Sequence, residues 1–390
     1  MVLAGTLLCV GVLAVPVAAG ASSPTILTVA GAKTLGTLSA PSGVAVDKAG
    51  DIFIADTNQC RVLLVPSHSG SSYGLQVVAH RPSTLAGGTC GSKNVVGYPT
   101  GLAVDQHGDL FIAEATSQRV QMIRSGGHTL VNVAGTGSAG FNGDGRAAPA
   151  SELNQPSGVG VDTSGNLFIA DTANCRVRMM PASNGTYFGQ VMVAQHLYTV
   201  AGNGVCGSGQ RTGSAAMAQI SNPVAVASDT AGDLFIADNG DQSILEVPAT
   251  GGNHYGTTIA AGGIAPIVYA AGNGNGPYIQ DGLPASGETA EMNDPEGIAV
   301  SPTGTLFITD GSQHCIRVVP SAAGAVFGRS MNAGDLYTLA GAIPINTASG
   351  LGNGTHWILT HMGVPIGIAV TPSGSVVFSD RNTNQVREIG

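Results

Sequence analysis

The stretch PSGVAVDKAGDIFIADTNQCRVLLVP, residues 41–66, decides the fold because close copies of it recur along the chain. The later copies begin at Pro99, Pro156, Pro223, Pro295 and Pro365, at spacings of 58, 57, 67, 72 and 70 residues. Within one copy, GVAV and IFIAD are apolar runs that predict two strands joined by a turn at Gly50. RVLLV predicts a third strand after a short loop, so each copy is one unit of a repeat architecture.

A fourth strand is predicted in the variable segment after five of the six copies, from STLAGG, TLVNVAGT, LYTVAGN, IVYAAGN and LYTLAGA. The sixth copy ends at Gly390 after its third strand, whereas TILTVAGA, residues 25–32, shows the fourth-strand pattern before the first proline. We therefore predict an all-β, six-bladed β-propeller over residues 25–390. The strand at 25–32 joins the blade formed by 365–390 and closes the ring, which removes exposed strand edges.

The repeat pattern P-x-G-[VIL]-A-V-D-x-x-G-[DN]-[LI]-[FY]-[IV]-A-D resembles the NHL repeat, and AGTGSAGFNGDGRAAPASELNQP, residues 134–156, looks like a linker between such repeats. The resemblance covers residues 25–390 and implies a propeller of the bacterial, secreted type. NHL propellers serve as extracellular sensor domains, as protein- or RNA-binding modules and as the scaffold of an amidating lyase, so the resemblance implies several functions. The lyase binds metal through histidines near the axis, and the inner strands of this chain contain none.

Composition narrows the class of partner. The net charge is −9 and the chain has no basic run, which excludes the usual electrostatic footprint for nucleic acid. Residues 1–21 are uncharged and apolar with Ala19-Gly20-Ala21 at the end, which predicts a signal peptide and an exported, extracellular protein. An uncleaved membrane anchor is the alternative for this segment. We predict no membrane span in the mature chain, and expect it to act as a monomer.

The cysteines form two similar pairs. Cys60 and Cys175 occupy the same repeat position, and Cys90 and Cys206 follow them after 30 and 31 residues, just beyond a fourth strand. Third and fourth strands are antiparallel neighbours, so we predict the disulfides Cys60–Cys90 and Cys175–Cys206, in keeping with export. A zinc site lacks the usual C-x₂-C spacing. Cys315, next to His314, is predicted to be a buried structural thiol, with a nucleophile as the alternative.

An acid ends every second strand and predicts a shared structural role. These acids are Asp56, Glu114, Asp171, Asp238, Asp310 and Asp380. Each can accept N–H groups of the tight loop that follows, and a ring of six could alternatively hold a cation. Arg61, Arg119 and Arg176 follow three of the acids and are expected to pair with neighbouring carboxylates.

The residues around the opening prolines differ from copy to copy, and ligand sites need such asymmetry. The candidates for binding at the mouth of the central channel are Tyr98, Gln155, Asn222, Asp294, Glu296 and His361, with Trp357 on a long linker. We expect Trp357 either to anchor a ligand or to fill a gap between two blades. We expect a non-enzymatic binding propeller for a protein or cell-surface glycan, with no cofactor. The alternative is a calcium-dependent hydrolase or lyase, in which Glu296, Asn222 and Asp294 would hold the ion.

Overall fold

The computed structural model describes residues 26–31, 37–88, 90, 96–209, 213–268, 281–286, 292–341 and 362–390. Within these residues the chain forms six antiparallel blades arranged as a ring. Blade 1 contains Pro41–Val46, Ile52–Asp56, Arg61–Val65 and Ser83–Gly87. Blade 2 contains Pro99–Val104, Leu110–Glu114, Arg119–Ile123 and Leu130–Ala134. Blade 3 contains Pro156–Val161, Leu167–Asp171, Arg176–Met180 and His196–Ala201.

The remaining blades follow the same order of strands from the channel outward. Blade 4 contains Pro223–Ser228, Leu234–Asp238, Ser243–Val247 and Ala265–Val268. Blade 5 contains Pro295–Val300, Leu306–Asp310, Cys315–Val319 and Asp335–Ala340. Blade 6 contains Pro365–Val370, Val376–Asp380 and Gln385–Ile389, and its fourth strand is Ile26–Ala30. Short 3₁₀ turns lie at Thr57–Gln59, Ala148–Ala150, Thr172–Asn174, Ala215–Met217 and Asn239–Asp241.

Ring closure occurs as predicted. Ile26–Ala30 pairs antiparallel with Gln385–Ile389, with Ile26 opposite Ile389 and Thr28 opposite Arg387. Blade 6 also joins blade 1, because the Ser379 hydroxyl donates to the Ser42 carbonyl oxygen at 2.5 Å. The N-terminal strand therefore covers what would otherwise be an open strand edge of the last blade.

The glycine of the P-x-G motif is explained by how closely the first strands approach one another around the axis. A Cβ atom on Gly158 would lie 2.4 Å from the Val224 carbonyl oxygen of the next blade, and one on Gly367 would lie 2.3 Å from that of Ser42. Neither separation is tolerated by a real side chain, so glycine is required at these two positions, whereas blade 4 has Ala225 at the same point of the motif.

The core lies between neighbouring blades rather than in one centre. Every residue of the second strands is buried, which matches their unbroken apolar pattern. Phe168 of blade 3, for example, belongs to the same cluster as Ile236 of blade 4. Two buried faces per strand explain why the apolar residues do not alternate.

Four blades carry an outer hairpin between the third and fourth strands. Its strands are Gly70–Ser72 with Leu75–Val77, Gly185–Tyr187 with Gln190–Met192, Gly252–His254 with Thr257–Ile259, and Gly324–Val326 with Arg329–Met331. An aromatic residue at each tip packs edge-to-face on the phenylalanine of its second strand, as Tyr255 does on Phe235 with ring centroids 5.9 Å apart. The Tyr255 hydroxyl donates to the Gly304 carbonyl of blade 5, so the hairpin also bridges to the next blade.

The linkers dock on the blade that they precede. Arg146–Ala147 pairs with the fourth strand of blade 3, and Leu283–Pro284 pairs with that of blade 5. Just before the first of these segments, Asp144 accepts a 2.9 Å bond from the fully buried Arg178 guanidinium. The linkers thereby become part of the sheets instead of crossing the surface freely.

Candidate functional site: the channel mouth

One face of the ring collects the starts of the first strands and the ends of the second strands, and this face is the predicted channel mouth. Each acid that ends a second strand accepts a bond from the backbone N–H of the residue two positions before the opening proline. The donors are Ser39, Gly97, Asn154, Ser221, Asn293 and Gly363, and the acceptors in the same order are Asp56, Glu114, Asp171, Asp238, Asp310 and Asp380. The acids tie the linker to the blade, which supports the structural interpretation of the ring.

The prediction placed these bonds in the loop that follows each acid, and that location is only partly right. Asp310 and Asp380 do accept bonds from Gln313 and Thr383 in the following loop, at 3.3 and 3.2 Å. The shorter bonds, such as the 2.7 Å bond from Asn154 to Asp171, come from the linker before the blade. The linker needs these acceptors because its N–H groups enter the protein with no strand partner.

Three arginines were expected to pair with carboxylates, and two of them do. Arg61 donates to Asp56 at 2.7 Å, and Arg119 donates to Glu114 at 3.0 Å. Arg176 instead donates to the carbonyl oxygens of Asn174 and Asn203 and lies over the Phe141 ring. Arg178, two residues further along the third strand, has the pairing that was expected of Arg176. Its Nη1 atom lies 3.6 Å from Oδ2 of Asp171.

The predicted disulfides Cys60–Cys90 and Cys175–Cys206 are both present. Cys315 is a free thiol with no exposed surface, and burial raises its pKa, so the reactive thiolate is disfavoured. His314 does not activate it, because the His314 Nδ1 atom lies 2.5 Å from the Gly363 carbonyl oxygen. The buried structural interpretation of Cys315 therefore fits the structure better than the nucleophile.

Blades 1 and 3 share one arrangement at the mouth. Ser42, directly after the opening proline, contacts the Thr57 hydroxyl at 2.6 Å, and Thr57 donates to the Pro99 carbonyl of the next blade at 2.8 Å. Ser157 and Thr172 repeat these contacts toward Pro223. The small hydroxyl pair thus joins each of these blades to the next one through hydrogen bonds.

Blade 5 replaces this arrangement with a larger, charged group. Glu296 stands where blades 1 and 3 have serine, and Gly311 stands where they have threonine. A Cβ on Gly311 would lie 3.1 Å from Cγ of Glu296, so the glycine leaves the room that the longer side chain needs. These two substitutions break the symmetry of the mouth at one place.

Neighbouring blades surround Glu296 with polar groups. Asp294 of the same blade accepts a bond from the Asn239 amide of blade 4, and its other oxygen accepts one from Ser312 at 3.2 Å. Burial, followed by the charge of Asp294, raises the pKa of Glu296 to about 6, and Arg381 of blade 6 acts in the opposite direction. The site spanning blades 4 to 6 therefore holds a carboxyl group that titrates near neutral pH.

The structure brings together three of the predicted site residues. Asn222 lies 3.4 Å from Asn239 through its side-chain amide, and Asn239 in turn contacts Asp294, beside which Glu296 lies. Tyr98 and Gln155 open blades 2 and 3, away from this group, with the Tyr98 side chain exposed. His361 and Trp357 lie outside the described residues.

Four of the six residues before the opening prolines share a conformation that sequence reasoning missed. Ala40, Tyr98, Gln155 and Asp294 have positive φ angles, of 50°, 47°, 51° and 82°. Non-glycine residues adopt this region rarely, and the backbone cost is one reason to look for function there. At the opposite face, an open cleft of about 430 Å³ between blades 1 and 2 was also missed; its wall includes His68, His107, Asp47 and Asp105.

Comparison with known proteins finds relatives that agree with this repeat architecture. A family model for the NHL repeat matches residues 38–63, 153–178 and 292–319. An Arabidopsis thaliana protein, SUPPRESSOR OF QUENCHING 1, is 28% identical over 95 residues, which span 24% of this chain and 9% of the plant protein. The fold is that of a six-bladed β-propeller, and the NHL matches fall on its blades 1, 3 and 5.

Solved structures agree with the fold. An auxiliary nutrient binding protein from Bacteroides thetaiotaomicron is 14% identical, with a TM-score of 0.55, over 90% of this chain and 69% of that one. A gluconolactonase from Xanthomonas campestris is 14% identical, with a TM-score of 0.53, over 95% of this chain and 91% of that one. At such identities the similarity concerns the fold alone. Among the residues that the structure describes, no helix has the length and apolarity needed to cross a membrane.

Proposed function

We propose that this protein is an exported, non-enzymatic binding propeller that holds a cell-surface glycan at the channel mouth. The observation that carries the proposal is the break in symmetry at Glu296 and Gly311, because a fold role alone would repeat in every blade. Export is supported by the two disulfides and by the apolar segment at residues 1–21. The nutrient-binding propeller described above is a precedent for binding on this fold.

A glycan fits the groups at the mouth better than a protein does. Glu296, Asp294 and Asn239 offer carboxylate and amide groups that can bond to sugar hydroxyls, and Arg381 adds donors. Tyr98 is 42% exposed on blade 2, across the ring from blade 5, and offers a ring face for the apolar side of a sugar. A protein partner would be expected to need a larger cluster of aromatic and apolar anchors.

The test is a glycan array of neutral and acidic oligosaccharides, followed by titration calorimetry with the best binder. Glu296→Gln and Tyr98→Ala should each weaken binding by about tenfold or more. Glu388→Gln and Val191→Ala are matched controls, because Glu388 is on the third strand of blade 6 and Val191 is on an outer hairpin, 81% exposed. An array without a binder, or variants that bind as tightly as the controls, would overturn the glycan proposal.

A calcium-dependent hydrolase or lyase at the same mouth is the second candidate. It is favoured by the raised pKa of Glu296, about 6, since a carboxyl poised near neutral pH suits general acid–base chemistry. Against it, Asp294 and Glu296 have no third His, Cys, Asp or Glu near enough to share an ion in the described part of the chain. A calcium titration followed by thermal melting separates the candidates, because a specific ion raises the melting temperature and Asp294→Asn should abolish the rise.

A further inference from the structure

Blade 4 contains a polar cluster far from the channel mouth, at the base of its outer hairpin. Asp233 precedes the second strand, Glu246 lies on the third strand, and His254 lies on the hairpin strand Gly252–His254. His254 Nδ1 is 2.7 Å from Glu246 Oε1 and 3.5 Å from Asp233 Oδ2. One ligand atom from each residue falls within 4.8 Å of the others, close enough to share a metal ion.

Glu246 is unusual because it is fully buried; blade 6 also has a glutamate, Glu388, at this register, but Glu388 is only half-buried. Phe235 pairs with Glu246 across the second and third strands, and the residues at the same register in blades 1, 2, 3 and 5 are Leu64, Met122, Met179 and Val318. All four are buried apolar side chains. A carboxylate in this place costs free energy unless a partner compensates for its burial, so its presence calls for a partner.

The one partner that the described residues give Glu246 is the His254 imidazole, which can compensate for the buried charge only when it is protonated. Glu246 has no exposed surface, and neither of its carboxylate oxygens has another hydrogen-bond donor in the described part of the chain. Asp233 uses one oxygen to accept the Ala249 N–H at 2.8 Å, which leaves the other directed toward His254. Two carboxylates with unused lone pairs therefore meet at one imidazole.

The second ring nitrogen of His254, Nε2, also has a partner in the backbone. Nε2 lies 3.2 Å from the Thr250 carbonyl oxygen, an acceptor, so Nε2 carries the hydrogen. A protonated imidazole would donate its Nδ1 hydrogen to Glu246, whereas a neutral imidazole has its lone pair on Nδ1, facing Glu246 and Asp233 and able to bind a metal ion. Histidines that bind metals have this arrangement, with the distal N–H held by a backbone carbonyl or carboxylate.

We propose that Asp233, Glu246 and His254 form a zinc(II) site that fastens the outer hairpin of blade 4 to the blade. Imidazole nitrogen and carboxylate oxygen are both zinc ligands, and with three protein ligands the fourth position would be taken by water. The hard ions Mg²⁺ and Ca²⁺ prefer oxygen ligands throughout. A tetrahedral ion with bonds of about 2.0 Å separates two ligand atoms by roughly 3.3 Å, so Nδ1 and Oε1 move apart by about half an ångström on binding.

The position of the hairpin determines how a zinc ion would reach the site and which strands the bound ion would link. The His254 side chain is 14% exposed, so an ion can enter from the hairpin side without the blade opening. Bound there, it links the hairpin to the second and third strands of blade 4. Blades 1 and 3 have disulfides between their third strands and the segments after their fourth strands, and the ion would add a cross-link of another kind in blade 4.

The experiment uses the full chain without an affinity tag, after treatment with a chelator, and measures zinc binding by competition with a chromophoric chelator. The wild-type protein should bind one zinc ion per chain at this site. At about a hundredfold excess of zinc over its dissociation constant, the melting temperature should rise by about 3 °C or more, whereas Mg²⁺ should leave it unchanged.

The matched variant combines Glu246→Leu with His254→Ser. Blade 1 has Leu64 and Ser72 at these positions beside Asp51, and Ser72 donates to Asp51 at 2.9 Å, so the replacement set already exists in a folded blade of this chain. The double variant should fold and bind zinc at least a hundredfold more weakly. His68→Ala, which removes an exposed histidine 3.9 Å from Asp51, is the control and should bind as the wild type does.

Two results would overturn the proposal. The first is a wild-type protein that binds no zinc beyond what the double variant binds. The second is a rise in melting temperature that is the same in the double variant and the wild type, which would place the ion elsewhere.

Discussion

Asp310 ends the second strand of blade 5 with no exposed surface, which makes its charge costly. Burial raises its pKa to about 7, while Arg317 and the backbone N–H groups of Asn293 and Gln313 act in the opposite direction. Asp171 in blade 3 shows the same effect more weakly, with a pKa raised to about 6. A residue that holds a linker in place at the mouth is thus also a source of pH dependence.

The sign of that dependence follows from linkage. The folded-state pKa of Asp310 is above its unfolded value of about 3.9, so the folded protein binds the extra proton between these two values. The contribution of Asp310 to stability is therefore largest at low pH and is lost as the pH rises through about 7.

Asp310→Asn should remove this pH dependence while preserving the structure, because the amide oxygen still accepts the Asn293 N–H. Between pH 5 and pH 8, we expect the variant to gain on the order of 2–3 kcal/mol relative to the wild type. Urea denaturation of both proteins across this range measures the difference. A difference between them that does not change with pH would contradict this account of Asp310.

At the scale of elements, the linker before blade 3 depends on a buried ion pair. The Arg178 side chain has no exposure and donates to Asp144, which is itself 38% exposed. Arg178 also lies near the Phe141 ring, 4.9 Å from its centroid, so one guanidinium organises the whole FNGDG segment. Breaking such a pair leaves Arg178 with only the more distant carboxylate of Asp171, at 3.6 Å, so its buried charge is less well compensated.

Asp144→Ala should therefore lower the free energy of unfolding by about 3 kcal/mol. Adding Arg178→Met should recover part of the loss, since methionine fills much of the space without a charge but removes the arginine beside the buried Asp171. Chemical denaturation of the two variants and the wild type tests this. Equal stability of the single and double variants would show that the pair is not the cause.

The strands were predictable from the sequence because each copy repeats the same unbroken apolar runs, LFIAD above all. The disulfides were predictable because antiparallel pairing places the start of a third strand beside the end of a fourth. The docking of the linkers on the blades was not predictable from the sequence. Asp144 and Arg178 are 34 residues apart, and no periodicity relates them. One sequence feature did accompany the docking: Asp144 and Asp281 each precede a glycine. In the structure, each faces a buried arginine on a third strand, Arg178 and Arg317 respectively.

The whole molecule is a ring whose closure depends on a strand from the other end of the chain. Deletion of the residues before Leu38 should leave Gln385–Ile389 as an exposed edge. We expect the truncated protein to lose more than about 3 kcal/mol of stability and to self-associate, as measured by denaturation and light scattering.

A circular permutant is the control for this deletion. Residues 26–31 can be attached after Gly390 by a short glycine-containing turn, because Ile389 and Ile26 are already cross-strand partners. The permutant should be close to the wild type in stability and show no more self-association than the wild type does. A permutant as unstable as the truncated protein would show that these residues stabilise the ring in some other way.

The site was only partly predictable at this scale. Opening residues that differ between copies drew attention to Asn222, Asp294 and Glu296, which the structure brings close together. Asn239, Gly311 and Arg381 escaped notice because they occupy the loop after the second strand, and only the ring brings that loop against the next blade. The cluster of Asp233, Glu246 and His254 escaped for a similar reason, since the hairpin folds back over its own blade.

Hydrogen exchange in the presence of the oligosaccharide that binds most tightly tests the central claim most directly, because it reports which backbone segments a ligand covers. The account predicts slower exchange in the segments around Asp294, Gly311 and Arg381, and unchanged exchange in the outer hairpins. Protection confined to the outer hairpins, or to the cleft between blades 1 and 2, would contradict binding at the channel mouth.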